Sequence, residues 1–185
     1  MIDEIFEELK DGMEKALKAF HRDLGKIRTG RASLSILDGI RVDYYGTPTP
    51  LNQVASLTVP ESRLIVIQPW EKKLTADIER AIMASDLGLN PTNDGKVVRI
   101  AFPPLTEERR KELVKIVGKM AEEARVVVRK ARRDAIEMIK DLEKAGDVAE
   151  DDSRKHQAHV QKVHDEYIEK VAESLGRKEK EVMEV

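Results

Sequence analysis

Residues 106–145 read TEERRKELVKIVGKMAEEARVVVRKARRDAIEMIKDLEKA, and this stretch decides the fold. Apolar residues recur in it at steps of three and four without a break, which predicts a single helix of about 40 residues, roughly 60 Å long. Thr106 before two glutamates predicts the N-cap, and Gly146 predicts the end of the helix. The predicted contact stripe, at heptad spacing, comprises Leu113, Ile116, Met120, Ala124, Val127, Ala131, Ala135, Met138 and Leu142. A stripe of this length needs partner helices.

Two more amphipathic patterns supply those partners. The first covers Asp3 to Arg28 with a predicted stop at Thr29-Gly30, and its end near Gly25 is expected to fray because glycine disfavours helix. The other runs from about Ala149 to Val182. Three long stripes with a tight connection near Gly146 predict an antiparallel three-helix bundle. A monomer is expected, because the three stripes can bury one another.

Residues 32–102 have a different sequence pattern, in which short β-branched and aromatic runs are separated by Pro, Gly and Asn. We predict that they form a small α/β domain inserted between the first and second long helices. Its predicted strands are Ile40 to Tyr45, Val54 to Val59, Leu64 to Gln68 and Val97 to Phe102, with turns at Gly46 to Pro50, Pro60 to Ser62 and Asn90 to Gly95, and its predicted helix is Leu74 to Leu87.

The predicted fold class is therefore α+β: an elongated three-helix antiparallel bundle, residues 1–29 and 106–185, that carries the inserted α/β domain. The chain passes between the two domains twice, through residues 29–32 and 102–106. Both segments contain the Gly or Pro residues that punctuate element ends, so we predict a hinge about which the domains reorient. The hinge residues are Thr29, Gly30, Arg31, Pro103, Pro104 and Leu105.

Composition limits the class and location of the protein. Of 185 residues, 37% are charged and 4% are aromatic, which favours long solvated helices over a thick globular core. The lack of cysteine excludes disulfides and thiolate chemistry and fits a reducing compartment. Met1 to Lys10 does not resemble a signal or transit peptide, and no run approaches the ~20 apolar residues of a membrane span. We therefore expect a cytoplasmic protein without a membrane partner.

Charge is distributed unevenly along the long helix, although the formal net charge of the chain is only −2. Residues 106–133 contain ten basic and five acidic side chains, whereas residues 134–152 contain two basic and eight acidic ones. At about 100° per residue, four arginines fall within roughly 100° of one another and away from the apolar stripe. They are Arg125, Arg129, Arg132 and Arg133. Two interpretations stay open: a solvated face paired with Glu122 and Glu123, or a docking site for RNA phosphates, which the planar fork of arginine suits.

Signatures of catalysis and metal binding are scarce. The sequence has no P-loop, no GxGxxG, no HExxH and no GxSxG nucleophile elbow. His156, His159 and His164 share one helix, but no cluster of carboxylates or thiolates completes a metal site, so we interpret them as packing and surface residues. No metal or cofactor is expected. The Tyr44-Tyr45-Gly46 and Pro69-Trp70 stretches could stack on bases, although burial in the small domain is the preferred interpretation.

Five motifs, in this order, resemble the ribosome recycling factor family, also called ribosome-releasing factors. They are KIRTGRAS (26–33), VDYYGTPTPL (42–51), ASDLGLNP (84–91), PPLTEERR (103–110) and VRKARRDA (128–135). The motifs run through both predicted domains, and agreement of five long motifs in order is highly specific.

The resemblance implies a translation factor. Members bind the A-site region between the ribosomal subunits after termination and split the subunits together with elongation factor G, which hydrolyses GTP. The factor itself is not an enzyme and needs no cofactor. The bundle would contact large-subunit ribosomal RNA, and the small domain would rotate when elongation factor G pushes it. The implied RNA-binding positions are Arg28, Gly30, Arg31, Arg109, Arg110, Arg129, Arg132 and Arg133, with Arg132 foremost.

Three positions depart from the family pattern. Leu34 replaces a usual proline, Lys130 replaces a common asparagine, and Ala149 replaces a serine that would cap the last helix. The first two leave the joint and the basic stripe intact. The third predicts a weaker cap, with Asp147 as a substitute, at a cost of about 1 kcal/mol.

Two functions from other classes compete with this interpretation. The bundle could be a protein-interaction module, such as a chaperone or scaffold, that uses its heptad face for a partner protein. The α/β domain could instead hold an enzyme site near Asp86 and Asn90, although the sequence offers no convergent cluster of titratable groups there. Salt dependence and co-sedimentation with ribosomes discriminate RNA docking from the first of these.

Overall fold

The structure is a computed structural model, and it describes residues 1–184. In chain order its elements are α1 (Ile2–Gly25), a 3-10 turn (Leu34–Leu37), β1 (Arg41–Tyr44), β2 (Thr47–Pro50), α2 (Leu51–Val54), β3 (Ala55–Glu61), β4 (Leu64–Pro69), a second 3-10 turn (Lys72–Leu74), α3 (Thr75–Met83), β5 (Pro91–Asn93), β6 (Val98–Ala101), α4 (Glu107–Ala145) and α5 (Glu150–Met183). The chain divides into two compact units. The helical unit comprises Met1–Thr29 and the chain from Thr106 onward, and the small unit comprises Gly30–Leu105. The predicted α+β class is confirmed.

The helical unit is a three-helix bundle in which α4 runs antiparallel to α1 and α5. Contacts at both ends show that α1 and α5 run parallel: the Phe6 ring meets the His159 ring edge-on at 4.8 Å between centroids, and Thr29 bonds to Glu181. All three helices share one apolar core, in which each fully buried large side chain contributes roughly 1.5–3 kcal/mol. Within residues 1–184, no helix combines the length and apolar character needed to cross a membrane.

The buried face of α4 is rotated from the predicted stripe. Leu113, Ala124 and Ala135 are buried as predicted, but Ile116 and Val127 are 38% and 48% exposed. The buried line comprises Leu113, Val117, Ala121, Ala124, Val128, Ala135 and Ile139, while Met120, Ala131 and Leu142 pack at its edge and Met138 is exposed. Apolar residues adjoin one another at 116–117 and 126–128, so two stripes with the same period fit the sequence. The stripe that α1 and α5 cover lies roughly 40° from the predicted one, a choice that only the packing partners determine.

The end signals of α4 act as predicted, whereas those of α1 do not. The Thr106 hydroxyl accepts the Arg109 backbone N–H at 3.2 Å, and Gly146 ends α4 with a φ of 84°. Helix α1 ends at Gly25, several residues before the predicted stop at Thr29-Gly30. The low helix propensity of glycine explains why the helix ends at Gly25. From there the chain continues as a tight turn, in which Lys26 and Ile27 donate their backbone N–H groups to the carbonyls of residues 23 and 24.

Helix α5 lacks the side-chain cap that we predicted from Asp147. Its N-cap is Ala149, and no side-chain hydrogen bond caps it among the described residues. The backbone of Asp147 belongs to the turn that ends α4, since its N–H donates to the Leu142 carbonyl at 3.0 Å. Acidic side chains in the first turn, at 150–152, interact favourably with the helix dipole in place of a cap.

The small unit packs α3 against a four-stranded antiparallel sheet with the order β3-β4-β6-β5. Ile65, Ile67 and Ile100 of the sheet and Ile78 and Ile82 of α3 are fully buried in its core. Alternate residues of β4 and β6 supply these inward side chains, as the strand period of two requires. Strands β1, β3, β4 and β6 correspond to the four predicted strands.

Two predicted turns contain strands that the sequence analysis missed. β2 lies within the expected turn at 46–50, and β5 lies within the expected turn at 90–95. Pro48 and Pro50 alternate along β2, so their missing N–H groups both lie on its open edge, while Thr49 pairs with Val42 of β1. The predicted helix from Leu74 to Leu87 is shorter than expected, because it begins as a 3-10 turn and ends at Met83.

Candidate nucleic-acid interface

Four arginines of α4, which we call the basic face, lie beside the buried line: Arg125, Arg129, Arg132 and Arg133. Arg125 and Arg129 share one carboxylate, that of Glu122. Arg125 Nη1 lies 3.5 Å from one oxygen of Glu122, and Arg129 Nη2 donates to the other. The hydrogen bond from Arg129 is the main reason that the pKa of Glu122 lies below its ordinary value. Because one carboxylate offsets two guanidinium groups, this half of the basic face keeps a net positive charge.

Arg132 and Arg133 form no salt bridge with any of the described residues. Arg132 is half-buried, and its Nη1 donates to Gln161 Oε1 on α5 at 2.8 Å. Its Nε is buried and has no hydrogen-bond partner within residues 1–184. Arg133 is exposed. The predicted pairing with Glu122 therefore holds for Arg125 and Arg129. Arg132 has the carboxylate of Asp165 nearby, since the charge of Arg132 helps to lower the pKa of Asp165, whereas Arg133 has no salt-bridge partner among the described residues.

A second group of predicted contact residues lies at the end of the bundle where α1 stops and α4 starts. Arg28 and Arg109 are exposed, and Arg109 donates to Glu112 at 2.9 Å. Arg110 is half-buried and donates to the Met183 carbonyl at 3.2 Å, which helps to satisfy the C-terminus of α5. This group lies about 28 Å along α4 from the basic face at 1.5 Å per residue. The predicted positions of the helical unit thus form two separate patches.

The segments on either side of the predicted hinge are anchored within their own units. In the helical unit, Thr29 Oγ1 donates to Glu181 Oε1 at 2.8 Å. In the small unit, the backbone N–H groups of Ala32 and Phe102 donate to carbonyls of the loop 62–63 at 2.7 and 2.8 Å. Both connections therefore meet the same loop of the small unit.

The backbone conformation favours glycine at position 30. Its φ is +76°, a conformation that L side chains rarely adopt. A Cβ there would lie 3.3 Å from Leu105 Cγ and 3.6 Å from the Pro103 carbonyl oxygen. The remaining predicted hinge residues, Arg31 and Pro104, are exposed.

Two aromatic side chains that we expected to be buried are exposed. Tyr45 and Trp70 are 70% and 69% exposed, whereas Tyr44 is half-buried and Pro69 is buried. Tyr45 occupies the β1–β2 turn with a φ of 51°, and turn residues point away from the core. Trp70 follows β4, in which Ile67 and Pro69 point inward, so strand alternation directs residue 70 outward. That alternation was readable in the sequence.

Tyr44, Tyr45 and Trp70 together form what we call the aromatic face, and polar contacts hold its two tyrosine side chains in place. The two tyrosine hydroxyls donate to the Glu71 carboxylate at 3.0 and 3.1 Å. Lys73 Nζ lies 2.9 Å from Glu71 and 4.1 Å from the centroid of the Tyr45 ring. The hydrogen bond to Glu71 raises the pKa of Tyr44, and hydrogen bonds to Tyr45 and Glu71 raise the pKa of Lys73. A cavity of about 260 Å³ adjoins Tyr44 and Trp70.

The residues considered for metal binding and catalysis are placed elsewhere. Within residues 1–184, no group of three or more His, Asp or Glu side chains is arranged to hold a metal ion. His156 and His159 pack on the Phe6 ring, at 6.0 and 4.8 Å between centroids. Asp86 and Asn90 are exposed and do not line the cavity beside Trp70.

Comparison with known proteins relates the chain to one family. The family model described as ribosome recycling factor matches residues 20–183. The ribosome-recycling factor of Syntrophus aciditrophicus (strain SB) is 60% identical over 185 residues and all of both chains. The solution structure of a ribosome recycling factor matches all of this chain and 98% of that chain, with a TM-score of 0.75 and 42% identity. A second solved structure matches over the whole of both chains, with a TM-score of 0.63 and 42% identity. It describes the T. thermophilus ribosome recycling factor and the E. coli elongation factor G bound to the E. coli post-termination complex.

Proposed function

The chain belongs to the ribosome recycling factor family, and on that premise we propose that it separates post-termination ribosomes into subunits together with elongation factor G and GTP. One observation carries this proposal: the whole chain resembles a recycling factor that is bound, with elongation factor G, to a post-termination complex. Because the resemblance includes both units, the proposal assigns a task to each of them.

The helical unit supplies the contact with large-subunit ribosomal RNA in the intersubunit A-site region. Guanidinium groups bind phosphates in bidentate fashion and release counterions when they do so. The basic face presents such groups with net positive charge, since Glu122 offsets only part of it. The proposed RNA contacts are Arg129, Arg132 and Arg133 of the basic face together with Arg28, Gly30, Arg31, Arg109 and Arg110. Binding should therefore weaken steeply with salt.

The small unit turns about the two connections while the helical unit stays bound. Thr29 is anchored in the helical unit and Ala32 in the small unit, which confines a change of backbone angles to the residues between them. Gly30 is among these residues and already has a conformation that other residue types rarely adopt. Pro103, Pro104 and Leu105 complete the proposed hinge.

The aromatic face is the surface of the small unit that meets elongation factor G. Tryptophan and tyrosine are enriched at the centres of protein–protein contacts, where charged groups of both signs form the rim. Trp70 and Tyr45 are exposed beside Glu71 and Lys73, which fits that composition. The Glu71 carboxylate beside Lys73 leaves this surface without the net positive charge that binds phosphates.

The chain performs no bond-breaking step in this proposal. Elongation factor G hydrolyses the GTP, and the recycling factor converts the resulting movement into separation of the subunits. It acts as a monomer in the cytoplasm, where the ribosomes are, and needs no cofactor or metal.

The rival function, a protein-interaction module that uses the heptad face, is disfavoured by where that face lies. The apolar line of α4 is buried against α1 and α5 in one shared core. A partner protein would have to replace one of the chain's own helices to reach that line, and only Ile116, Val127 and Met138 of the predicted heptad face are exposed.

Sedimentation of the purified protein with post-termination ribosomes tests the proposal. We expect free subunits only when this protein, elongation factor G and GTP are all present, and ribosome binding without splitting when elongation factor G is left out. Splitting by elongation factor G alone, or absence of this protein from the ribosome fraction at low salt, would contradict the proposal.

A further inference from the structure

Arg132 is the member of the basic face whose side chain is held from another helix. Its Nη1 donates to Gln161 Oε1 on α5 at 2.8 Å. Arg125 and Arg129, in contrast, pair with Glu122 on α4 itself. The position of the Arg132 guanidinium therefore depends on α5, a helix that none of the predicted contact residues occupies.

The Gln161 amide is engaged at both of its polar atoms. Its oxygen accepts from Arg132, and its Nε2 donates to Asp165 Oδ1, one helical turn further on, at 2.8 Å. Only the oxygen of an amide can accept, so these two bonds require one orientation of the side chain. The reversed amide would turn its NH₂ group towards the guanidinium and lose both bonds.

Asp165 is in turn held by its neighbour His164. The His164 ring is buried, and its Nδ1 lies 2.9 Å from Asp165 Oδ1. Because an ionised carboxylate can only accept, Nδ1 is the nitrogen that donates, while His164 Nε2 is buried without a hydrogen-bond partner among residues 1–184. The hydrogen bond from His164 is the first of the influences that hold the pKa of Asp165 below its ordinary value. Asp165 is thus an ionised acceptor that anchors Gln161.

This chain of contacts restricts Arg132 before any ligand arrives. A mobile arginine loses rotamer freedom when it binds a phosphate, and that loss lowers affinity. In Arg132, Nη1 donates one of its two N–H groups to Gln161 and Nε is buried, so the second N–H of Nη1 and both N–H groups of Nη2 remain for phosphate oxygens. The guanidinium is therefore oriented in advance.

We propose that Gln161 is a positioning residue for RNA binding: it holds Arg132 in the orientation that contacts a backbone phosphate, and Asp165 keeps Gln161 in place. The inference rests on the proposed function, because it assumes that Arg132 binds ribosomal RNA. It adds a determinant on α5 that carries no charge and that neither charge clustering nor the five sequence motifs indicate.

A double-mutant cycle on equilibrium binding to purified large ribosomal subunits tests the proposal. Gln161→Leu keeps the size of the side chain and removes the acceptor, and we expect it to lower affinity roughly tenfold. Gln157→Leu is the matched control, because Gln157 lies one turn earlier on α5 and bonds to Ser153 instead of an arginine. Asp165→Ala, at an exposed side chain, provides a milder variant, with an expected loss of about threefold.

The Arg132→Ala background separates positioning from general damage. In that background we expect Gln161→Leu to cause no further loss, since there is no guanidinium left to orient. An equal loss in both backgrounds, or equal affinities for the Gln161→Leu and Gln157→Leu proteins, would overturn the inference while leaving the proposed function intact. If Arg132→Ala itself bound large subunits with unchanged affinity, Arg132 would not be an RNA contact and the inference about Gln161 would fail.

Discussion

The basic face of the helical unit and the aromatic face of the small unit both reach the surface, but they are built in different ways. The basic face lies on one long helix, and polar partners on α4 and α5 order its side chains. The aromatic face combines a turn residue, Tyr45, with a residue at a strand end, Trp70. Ordered cations suit RNA phosphates, whereas large amphipathic rings suit a protein surface. This difference supports the proposal that one unit binds the ribosome and the other couples to elongation factor G.

The largest expected effect comes from preventing the two units from reorienting. A disulfide cross-link between the units should abolish subunit splitting and spare ribosome binding, because the basic face is untouched. Ribosome binding and free subunits are measured by sedimentation on the oxidised protein, and the reduced form of the same protein is the control. Full splitting activity in the oxidised form would show that the small unit need not move.

Removing one guanidinium should weaken binding without altering the fold. We expect Arg132→Ala to weaken binding to large subunits by about 1–3 kcal/mol, the scale of a lost charge-assisted contact. The slope of log affinity against log salt concentration should fall by about one, as expected for the loss of one phosphate contact. Arg154→Ala is the matched control, since Arg154 is an exposed arginine on α5 that pairs with Glu150. Equal affinities of the two variants across a salt titration would exclude Arg132 as a contact.

Truncating the exposed tryptophan should have the complementary effect. We expect Trp70→Ala to leave ribosome affinity unchanged and to raise roughly tenfold the concentration of elongation factor G needed for half-maximal splitting. Met83→Ala removes another exposed apolar side chain of the small unit and serves as the control. Loss of ribosome binding by Trp70→Ala would place part of the ribosome contact on the small unit.

The smallest expected effect concerns stability and should leave both surfaces unchanged. Ala149→Ser adds an N-cap side chain to α5, which lacks one, and should raise the free energy of unfolding by about 1 kcal/mol. Ala172→Ser, at an exposed position inside α5, should lower it by a few tenths of a kcal/mol. Chemical denaturation measures both changes. If Ala149→Ser did not raise the free energy of unfolding above that of Ala172→Ser, another group would already satisfy the N-terminus of α5.

Local rules account for the parts of the fold that the sequence predicted. Thr106 and Gly146 mark the ends of α4 because capping depends on only a few neighbouring residues. The rotation of the α4 contact face was predicted incorrectly, because apolar residues cover a wider arc than α1 and α5 can bury. Strands β2 and β5 were missed because proline signals a turn as readily as an open strand edge.

In the candidate site, too, local features could be predicted from the sequence and contacts between elements could not. The basic face was visible because charge clustering on a helix needs only the helical period. Its anchor at Gln161 was not, since the contact joins residues on different helices and depends on how α4 and α5 align. Trp70 was misjudged because a low aromatic content favoured burial, although the alternation of β4 already directed that side chain outward.

The most direct test of the division between binding and coupling is the rate of subunit splitting as a function of the concentration of this protein, at fixed elongation factor G and GTP. The account predicts that Arg132→Ala needs a higher concentration but reaches the wild-type maximum. It predicts that Trp70→Ala saturates at the wild-type concentration with a lower maximum. A lowered maximum for Arg132→Ala, together with full recovery of Trp70→Ala at high concentration, would contradict it.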